Sequence, residues 1–521
     1  MFSKIFNKNI TNLNNSSFKI NYIPPLLIYL AAGCSGITNI VSTFYVKEYL
    51  NLSASFLAAL GFWLTLPWAL KMPIGHIVDL MWKKKNFFVY LGAIFISTSF
   101  LIMFALIAYL ELMTSILTRE TWFIVSSILA PIGFVFQDVV ADAMTVEAVP
   151  KVKRNGKNFN TSEIKSMHIT MQTLGRFFII GGTVLVGSIN FFFFRDLDNI
   201  NDLEKLNIYS NIYLFSLIIP LVSIIGVILN KFLINSPIKI TRTKANYKII
   251  FGSIIFVLFI IITSLKKFTY SQELVFAGSI IIIIFLMKNL SKFMNYEARN
   301  LIIGTSIIIF VFRSVPNVGI GLTWFEIDIL KFDQSFFSIL AIIASILTMI
   351  GILIFKNFMA RNSIAKIIVV LSILNAVLLI PSLAMYYGFH EWTSKNTSGI
   401  IDARFIALIN TAIESPLGQV SMIPLLAWIA KNAPDNLKAT FFAVFASFTN
   451  LALGLSNLIT KYLNKIFIIS REIRDKITNE AIVAADYSEL GFLIFVTIII
   501  TLCIPIIFVI IIQKSKYKTN E

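Results

Sequence analysis

Long apolar segments dominate this 521-residue sequence and restrict it to a small set of folds. Runs such as 249–265 and 492–512 approach the length of roughly 20 residues that a helix needs to cross the hydrocarbon core of a bilayer. Because hydrocarbon offers the backbone no hydrogen bonds, only helices and closed barrels span it. Charged residues make up 14% of the chain, against about 25% in soluble domains. The sequence therefore predicts an all-α, polytopic integral membrane protein.

Apolar runs separated by charge clusters predict fourteen transmembrane helices. They fall at 24–46, 55–81, 87–110, 121–149, 164–194, 209–230, 249–265, 273–288, 300–325, 334–355, 363–387, 403–430, 439–460 and 489–513. Lysines and arginines concentrate in every second loop, for example at 83–85 and 151–157, whereas acidic residues prevail in the others. Since positively charged loops remain cytosolic, we predict that both termini are cytosolic. The net charge of +17 is then a topology signal, and no nucleic-acid partner is expected.

An internal repeat divides the chain into two halves. At an offset of 280 residues, 44–57 aligns with 324–337, so the ninth span corresponds to the first. Two six-helix halves related in this way, with two helices between them, are the arrangement expected of a major facilitator-type transporter. The predicted segments are a cytosolic tail (1–23), an N-terminal half (24–235), two inserted helices with flanking loops (236–299), a C-terminal half (300–513) and a second cytosolic tail (514–521).

Two segments fall outside the repeat. The inserted spans, 249–265 and 273–288, consist mostly of Ile, Leu and Phe without buried charge, so we expect them to face lipid. The longest outer segment, 461–487, has mixed charge and is predicted to be a solvated loop with some helix.

Cys34 and Cys503 both lie within apolar spans, which predicts neither a disulfide framework nor a metal cluster. We expect no cofactor.

The fourth span carries two aspartates in its middle, Asp138 and Asp142. Four residues are just over one helical turn, so both carboxylates share a face, and Thr145 extends this stripe. A carboxylate at mid-depth in a bilayer costs roughly 2.5 kcal/mol or more, so it seldom lies there without a partner or a water-filled cavity. Glu147 lies on the opposite face near the cytosolic end, where we expect a role in gating.

Basic residues well inside the spans, away from the span ends, are Lys71, Arg176 and Arg313. The rise per residue places them at depths similar to that of Asp138, and the first and fourth helices of each half should line a central cavity. The candidates for substrate binding or proton coupling are therefore Asp138, Asp142, Lys71, Arg176, Arg313, Glu414 and Asn317. A simpler interpretation is that Asp138 or Asp142 only neutralises Arg176 as a buried ion pair. Since the whole set exceeds what helix packing requires, we favour a function for it.

The cytosolic end of the second span resembles the loop signature of the major facilitator superfamily. Gly75 and Asp79 are followed by Lys83 and Lys84, although the second glycine and the usual arginine are missing. An aspartate against a neighbouring helix N-terminus, with lysines on the inner surface, can hold the two halves together in one state. These residues are the predicted gate; the alternative is that the lysines only fix topology.

Trp63, Trp68 and Trp324 are placed to stack on a flat ligand, although a tryptophan at a membrane interface is often only an anchor. The sequence does not decide between these two interpretations.

Several segments together resemble the folate-biopterin transporter family of the major facilitator superfamily. They are 44–53 with 66–75, 137–147, 313–332, 421–424, and Pro434 with 439–450. The elements Pro67-Trp-x-x-Lys71 and Asp138-Val-Val-Ala-Asp142 are the most specific in combination. The resemblance implies secondary transport of folates or pterins by alternating access, coupled to protons. It also implies which charged positions are family-like, namely Lys71, Asp138, Asp142, Glu147 and Arg313.

The sequence departs from the family in its two additional central helices and in Met72, which separates Lys71 from Pro73. Fourteen helices and an aspartate-rich fourth span are also similar to muropeptide permeases, so another organic anion stays an alternative substrate. A remote alternative is an intramembrane, magnesium-dependent prenyltransferase, in which Asp138 and Asp142 would bind a diphosphate through the metal. Such a site would lie near a cytosolic mouth, whereas these aspartates are near mid-span.

We therefore expect a transporter rather than an enzyme. Its expected partners are a folate- or pterin-like small molecule, protons and the lipid bilayer. We expect a monomer in the bacterial inner (plasma) membrane.

Overall fold

The structure of the protein, a computed structural model, consists almost entirely of helices packed side by side. The described residues are 20–50, 52–69, 71, 74, 77–78, 81, 84–149, 161–195, 201–233, 259, 270–290, 296–355, 358, 362–417, 420, 438–471, 473–474 and 481–519. The predicted seventh span and the end of the predicted twelfth span lie largely outside these ranges.

The helices within the predicted N-terminal half (24–235) are α1 (Ile23–Gly33), α2 (Asn39–Tyr49), α3 (Ala54–Ala69), α4 (Asn86–Ala108), α5 (Leu110–Thr114), α6 (Arg119–Ala148), α7 (Thr161–Phe194), α8 (Asp202–Phe215) and α9 (Ile218–Leu233). A 3₁₀ turn at Cys34–Thr38 joins α1 to α2, and another at Ile20–Tyr22 precedes α1.

The remaining helices are α10 (Ser271–Leu290), α11 (Tyr296–Arg313), α12 (Ile320–Asp328), α13 (Gln334–Ile354), α14 (Ile364–Tyr386), α15 (Phe389–Asn396), α16 (Ala403–Glu414), α17 (Lys438–Ile466) and α18 (Leu490–Gln513). A 3₁₀ turn at Ser415–Leu417 follows α16. Two short strands, β1 (Ile473–Arg474) and β2 (Ala481–Val483), pair antiparallel in the segment before α18.

Eight helical segments within the described residues are long and apolar enough to cross a membrane. They are Ile20–Val46, Asn86–Ala108, Arg119–Asp142, Leu174–Phe194, Glu204–Leu233, Gln334–Ile352, Ile364–Tyr386 and Leu490–Gln513. Two shorter apolar helices are Ala54–Trp68 and Ser271–Phe285. The prediction of an all-α, multi-pass membrane protein is confirmed, whereas the count of fourteen spans stays a prediction.

Polar side chains fix where several spans begin. The first N–H groups of a helix have no partner within it, so a side-chain acceptor at the N-cap is stabilising by about 1 kcal/mol. Asp333 accepts a hydrogen bond from the N–H of Phe336 (2.7 Å) and thereby caps α13. Asp402 does the same for α16 through the N–H of Phe405 (2.8 Å). Both caps lie at the ends of helices that the charge pattern predicts to be outer.

The first span of each half is interrupted at the equivalent position of the repeat. The interruptions lie at 34–38 and 314–319, and the offset of 280 residues superposes them. The prediction of one continuous helix over 300–325 is therefore wrong. Pro316 has no N–H and disfavours helix in the residue before it, and Gly319 has a φ of +89°, which favours glycine.

Side chains of α17 satisfy the backbone groups that the break in the ninth span exposes. The N–H of Asn317 donates to Thr460 Oγ1 (3.1 Å), and Ser456 Oγ donates to the carbonyl of Val315 (2.7 Å). An unsatisfied backbone group in hydrocarbon costs several kcal/mol, so irregular backbone is tolerated there only with such partners. The break is thus a supported feature of the fold.

The third and fourth spans approach closely because both carry glycine at their crossing point. A Cβ atom at Gly133 of α6 would lie 2.6 Å from the carbonyl oxygen of Gly92 in α4. Such a distance is below van der Waals contact, so no other residue fits without separating the helices. This crossing positions the half of α6 that carries the aspartates.

Gly133→Ala is expected to destabilise the protein by about 2 kcal/mol, because overpacking a tight interface costs about 1–3 kcal/mol. The matched control is Gly181→Ala, since a Cβ atom at Gly181 would meet nothing within 4 Å. Thermal unfolding in detergent measures both variants. An equal melting temperature for the two would contradict the close crossing.

Contacts between the halves join α3 to α17 and α7 to α13. Asn450 Nδ2 donates to the carbonyl of Trp68 (3.3 Å), and Thr183 Oγ1 donates to Ser345 Oγ (2.7 Å). Towards the predicted outer end, Gly61 lies against the side chain of Asn457. The described contacts therefore close the two halves against each other from the middle of the bundle outward.

The segment that precedes α18 adds to this closure. Arg471 is buried, with 4% exposure; its guanidinium donates to the carbonyl of Leu50 and lies over the ring of Trp324 at 5.4 Å. Leu50 and Trp324 belong to opposite halves, so Arg471 links them. The prediction of a solvated loop over 461–487 is wrong for this part of the segment. Trp324, at 1% exposure, is a packing residue and not a ligand-stacking one.

The second inserted helix, α10, does not face lipid on all sides. Gln272 Nε2 donates to the carbonyl of Ala59 in α3 (3.1 Å), and Lys461 Nζ of α17 pairs with Glu273 Oε1 (2.7 Å). Val275, close to these two residues on α10, is fully buried. The expectation of a purely lipid-facing addition is therefore wrong for α10, which bridges one helix from each half.

Lys461→Met is expected to lower the unfolding free energy by about 2 kcal/mol, because it leaves Glu273 and Gln272 without their shared cation. Removing one partner of a fully buried pair costs about 3–5 kcal/mol, and the 27% exposure of the Glu273 side chain reduces this. The control is Lys465→Met, one turn further along α17, where the lysine is exposed. Detergent melting curves test the difference. Equal shifts in the two variants would show that α10 is not anchored through this pair.

Candidate functional site

One lysine lies between the two aspartates of α6. Lys71 Nζ is 2.6 Å from Asp138 Oδ2 and 2.6 Å from Asp142 Oδ2. The side-chain exposures are 15% for Lys71, 13% for Asp138 and 46% for Asp142. The i, i+4 spacing on α6 brings both carboxylates to one face, and Lys71, just beyond the end of α3, reaches them from the neighbouring helix. This ionic triad carries a net charge of −1.

Tyr29 of α1 completes the surroundings of the triad. Its hydroxyl donates to Asp142 Oδ1 at 2.6 Å, and the side chain is 4% exposed. Asp142 is thus held by Lys71 on one oxygen and by Tyr29 on the other. The sequence alone does not single out Tyr29, because one tyrosine in an apolar span carries no signal until its partner, 113 residues away, is known. Thr145 donates back to the carbonyl of Asp142 (2.6 Å) within α6.

Gln137, next to Asp138, fixes the rotation of α6. Its side chain is 1% exposed, and Nε2 donates to the carbonyl of Val89 in α4 (3.3 Å). Ser223 Oγ of α9 donates to Gln137 Oε1 (2.8 Å). Because these bonds connect α6 to helices on its other side, they hold the aspartate face towards Lys71 and Tyr29.

Two arginines, one from each predicted half, lie close to each other, and one of them is also close to the triad. Arg176 of α7 and Arg313, the last residue of α11, are close enough for their positive charges to interact, and the charge of Arg176 also acts on Asp138. Arg176 is exposed and forms no ion pair with a carboxylate in the described part of the chain. The simpler interpretation, that Arg176 neutralises Asp138 or Asp142 directly, is wrong, because Lys71 occupies that position.

These five charged residues form a cluster that we call the ionic cluster: Lys71, Asp138, Asp142, Arg176 and Arg313. With three cations and two carboxylates it has one positive charge in excess. It combines residues of both predicted halves, since Arg313 belongs to 300–513 and the other four belong to 24–235.

The other predicted site residues do not join the ionic cluster through any described contact. Glu414 is exposed at the end of α16, and the exposed Asn317 lies in the interrupted part of the ninth span. Of the predicted gate residues, Lys84 is exposed, and the side chain of Glu147 lies outside the described part. Gly75, Asp79 and Lys83 lie outside the described residues altogether.

A cavity of about 360 Å³ lies beside the triad, within the N-terminal half. Trp68 and Phe134 form part of its wall, and they precede Lys71 and Asp138 by about one helical turn. Of the three tryptophans singled out in the sequence, Trp68 is the one that lines this cavity. Trp63 instead packs edge-on against Phe62 (5.4 Å between ring centroids).

Comparison with known protein families identifies the chain. The model of the BT1 family matches residues 32–521, which is nearly the whole sequence. The chain belongs to the BT1 family. One curated relative, the folate-biopterin transporter of Synechocystis sp., is 24% identical over 148 residues. That match covers 28% of this chain and 29% of the relative, so the chain spans less than a third of the relative's length in it.

Solved transporter structures share the fold of this BT1-family protein. A POT family transporter bound to 5-aminolevulinic acid has a TM-score of 0.63 at 13% identity, covering 96% of each chain. A mutant of the nucleoside transporter NupG has a TM-score of 0.54 at 14% identity, covering 94% of this chain and 99% of its own. The xylose transporter XylE from E. coli has a TM-score of 0.52 at 13% identity, covering 95% of this chain and 97% of its own.

At these identities the likeness shows the fold alone, which is that of the major facilitator transporters. Together with the family, it confirms the resemblance predicted from the sequence. The chain is a multi-pass membrane protein of this family.

Proposed function

We propose that this BT1-family protein is a secondary active transporter that moves a folate- or pterin-like anion by alternating access and couples this movement to protons. The observation that supports the proposal is the ionic cluster, in which two carboxylates share one lysine, Arg176 lies near Asp138, and Arg313 lies near Arg176. Charged groups inside a membrane protein are costly and therefore mark substrate or proton pathways.

The excess positive charge of the ionic cluster favours an anionic substrate. Arg176 offers a planar guanidinium that can bind a carboxylate through two parallel hydrogen bonds, as the tail of a folate requires. The half-exposed carboxylate of Asp142 can accept hydrogen bonds from donor groups of the substrate. Arg313 reaches the same region from the other half, and we assign it to the substrate tail.

Proton coupling follows from the shared lysine. A proton on Asp142 removes one negative charge from the ionic cluster, while Lys71 keeps Asp138 as its partner. The positive excess then rises, so an anion binds more tightly to the protonated protein. Because such coupling is reciprocal, a bound anion also raises proton affinity, and the two would move together.

Alternating access requires the halves to separate on one side and close on the other. We propose that the described state is closed on the predicted outer side, where α3, α7 and Arg471 contact the opposite half. Opening outward would break these contacts. We keep Gly75, Asp79, Lys83, Lys84 and Glu147 as the proposed inner gate. The proposed orientation has both termini cytosolic, in a monomer of the bacterial inner membrane, with the halves at 24–235 and 300–513.

The deciding experiment is uptake of labelled folate, pterin and a muropeptide into proteoliposomes, each with and without an inward proton gradient. Gradient-driven accumulation of folate or pterin is the expected result. Movement of the muropeptide alone would overturn the substrate and keep the transporter. Equal uptake with and without the gradient would overturn proton coupling. Empty liposomes are the control for leakage.

A further inference from the structure

The cavity beside the triad has the size of a small-molecule site but lies within one half. Its volume of about 360 Å³ falls in the range of about 300–1,000 Å³ that ligand pockets occupy. The wall comes from the 3₁₀ turn after α1 and from α2, α3, α4, α6 and α8. All of these elements belong to the N-terminal half, and the interruption of the first span forms one side of the cavity.

Several polar side chains in the wall have no hydrogen-bond partner in the described part of the chain. They are Ser35, Thr38, Asn39 and Ser127. Asn39 is exposed although it lies inside the first span, so its amide is open to the cavity. By contrast, Ser99 and Ser126 in the same wall bond each other and the backbone, at 2.7–3.1 Å. The unpaired side chains are therefore available to a ligand, whereas Ser99 and Ser126 hold α4 to α6.

The rest of the wall is mostly aromatic or aliphatic, and its described residues include no carboxylate, ammonium or guanidinium group. Trp68, Phe123 and Phe134 offer flat apolar surfaces. Polar groups that can both donate and accept, set between aromatic faces, match a flat, uncharged ring with hydrogen-bonding edges. They do not match an ion, because no described group in the wall would neutralise it.

One side of the cavity wall lies close to the triad of the ionic cluster. Trp68 lies three residues before Lys71 and Phe134 four residues before Asp138, so these two wall residues lie about one helical turn, roughly 5 Å, from the triad. A neutral chamber and a charged site in this order suit a molecule with an uncharged ring at one end and a charged group at the other.

We propose that this cavity binds the uncharged heteroaromatic ring end of the substrate through Asn39 and Ser127, while the charged end meets the ionic cluster. The inference rests on the proposed function and adds a location to it. The ring site belongs to the N-terminal half alone, so it moves as a rigid unit during transport. Only the contact to Arg313 of the other half changes with the state of the transporter.

Binding of two fragments to the purified protein in detergent tests the proposal. Equilibrium dialysis would measure labelled pterin, an uncharged ring without a tail, and labelled p-aminobenzoylglutamate, an anionic tail without the ring. The variants are Asn39→Ala and Ser127→Ala, and Ser127→Leu, which fills the cavity. The matched control is Ser188→Ala in α7, where the hydroxyl bonds only its own helix, at Val184.

Each alanine variant is expected to weaken pterin binding roughly three- to tenfold, as the loss of a neutral hydrogen bond does. Ser127→Leu should abolish pterin binding, and all variants should bind the tail fragment as the wild type does. Equal losses for both fragments, or unchanged pterin binding in Ser127→Leu, would show a cavity that holds water only and would overturn the inference. Absence of both fragments from the wild type, together with absence of uptake, would overturn the proposed function itself.

Discussion

Lys71→Met is expected to reduce both the amount of folded protein and its transport activity. Without the ammonium, Asp138 and Asp142 face each other inside the membrane with no described cation within ion-pair distance. Removing one partner of a buried pair costs about 3–5 kcal/mol, and the partial exposure of Asp142 lowers our expectation to about 2–3 kcal/mol. That loss changes the folded-to-unfolded ratio roughly 30- to 150-fold.

The amount of monodisperse protein from detergent extracts, and its melting temperature, measure this effect. The matched control is the double variant Lys71→Met with Asp138→Asn, which removes the cation and one carboxylate together. Folded protein should return in the double variant, whereas uptake should stay absent, because the ionic cluster no longer contains a shared lysine. Wild-type stability in Lys71→Met would contradict the triad.

Asp142→Asn is expected to abolish proton-driven uptake while the amount of folded protein stays unchanged. The triad carries one negative charge in excess, so the substitution leaves a balanced pair of Lys71 and Asp138. An asparagine keeps the shape of the side chain and can still accept the hydrogen bond from Tyr29. What it loses is the ability to take up and release a proton.

Proteoliposome uptake and counterflow exchange separate the two parts of this prediction. Uptake driven by a proton gradient should fall by about 100-fold or more, as expected when a residue that carries the coupled proton is lost, whereas exchange of substrate at equal pH on both sides should continue at a measurable rate. Tyr29→Phe is the companion variant: it removes a hydrogen bond from Asp142 but leaves both carboxylates and Lys71 in place. Normal gradient-driven uptake in Asp142→Asn would exclude Asp142 as the coupling residue.

The ionic cluster shows how far sequence reasoning reaches. The spacing of Asp138 and Asp142 predicts a shared face, and the rise per residue predicts the depth of Lys71, because both follow from helix geometry alone. Which cation pairs with the aspartates does not follow. Lys71 and Arg176 lie at similar depth, and only the packing of α3 against α6 brings Lys71 between the carboxylates.

The interrupted ninth span contains a local sequence signal that its hydropathy outweighs. Ser314-Val-Pro-Asn-Val-Gly319 contains a proline and a glycine, which mark a helix end in any soluble protein. The continuous hydropathy of residues 300–325, by contrast, predicts a single unbroken helix. The backbone could leave the helix because Thr460 and Ser456, which are distant in the chain, supply its hydrogen bonds.

The sequence by itself determined that this chain is a helical membrane protein with an internal repeat and that its middle holds charges. These properties follow from segment length, hydropathy and repeats, which are local or periodic. Only the tertiary structure decided that Tyr29 holds Asp142, that Arg471 joins the halves and that α10 bridges them. Each of these contacts connects residues far apart in the chain, and their distances depend on how the helices pack, which no local pattern encodes.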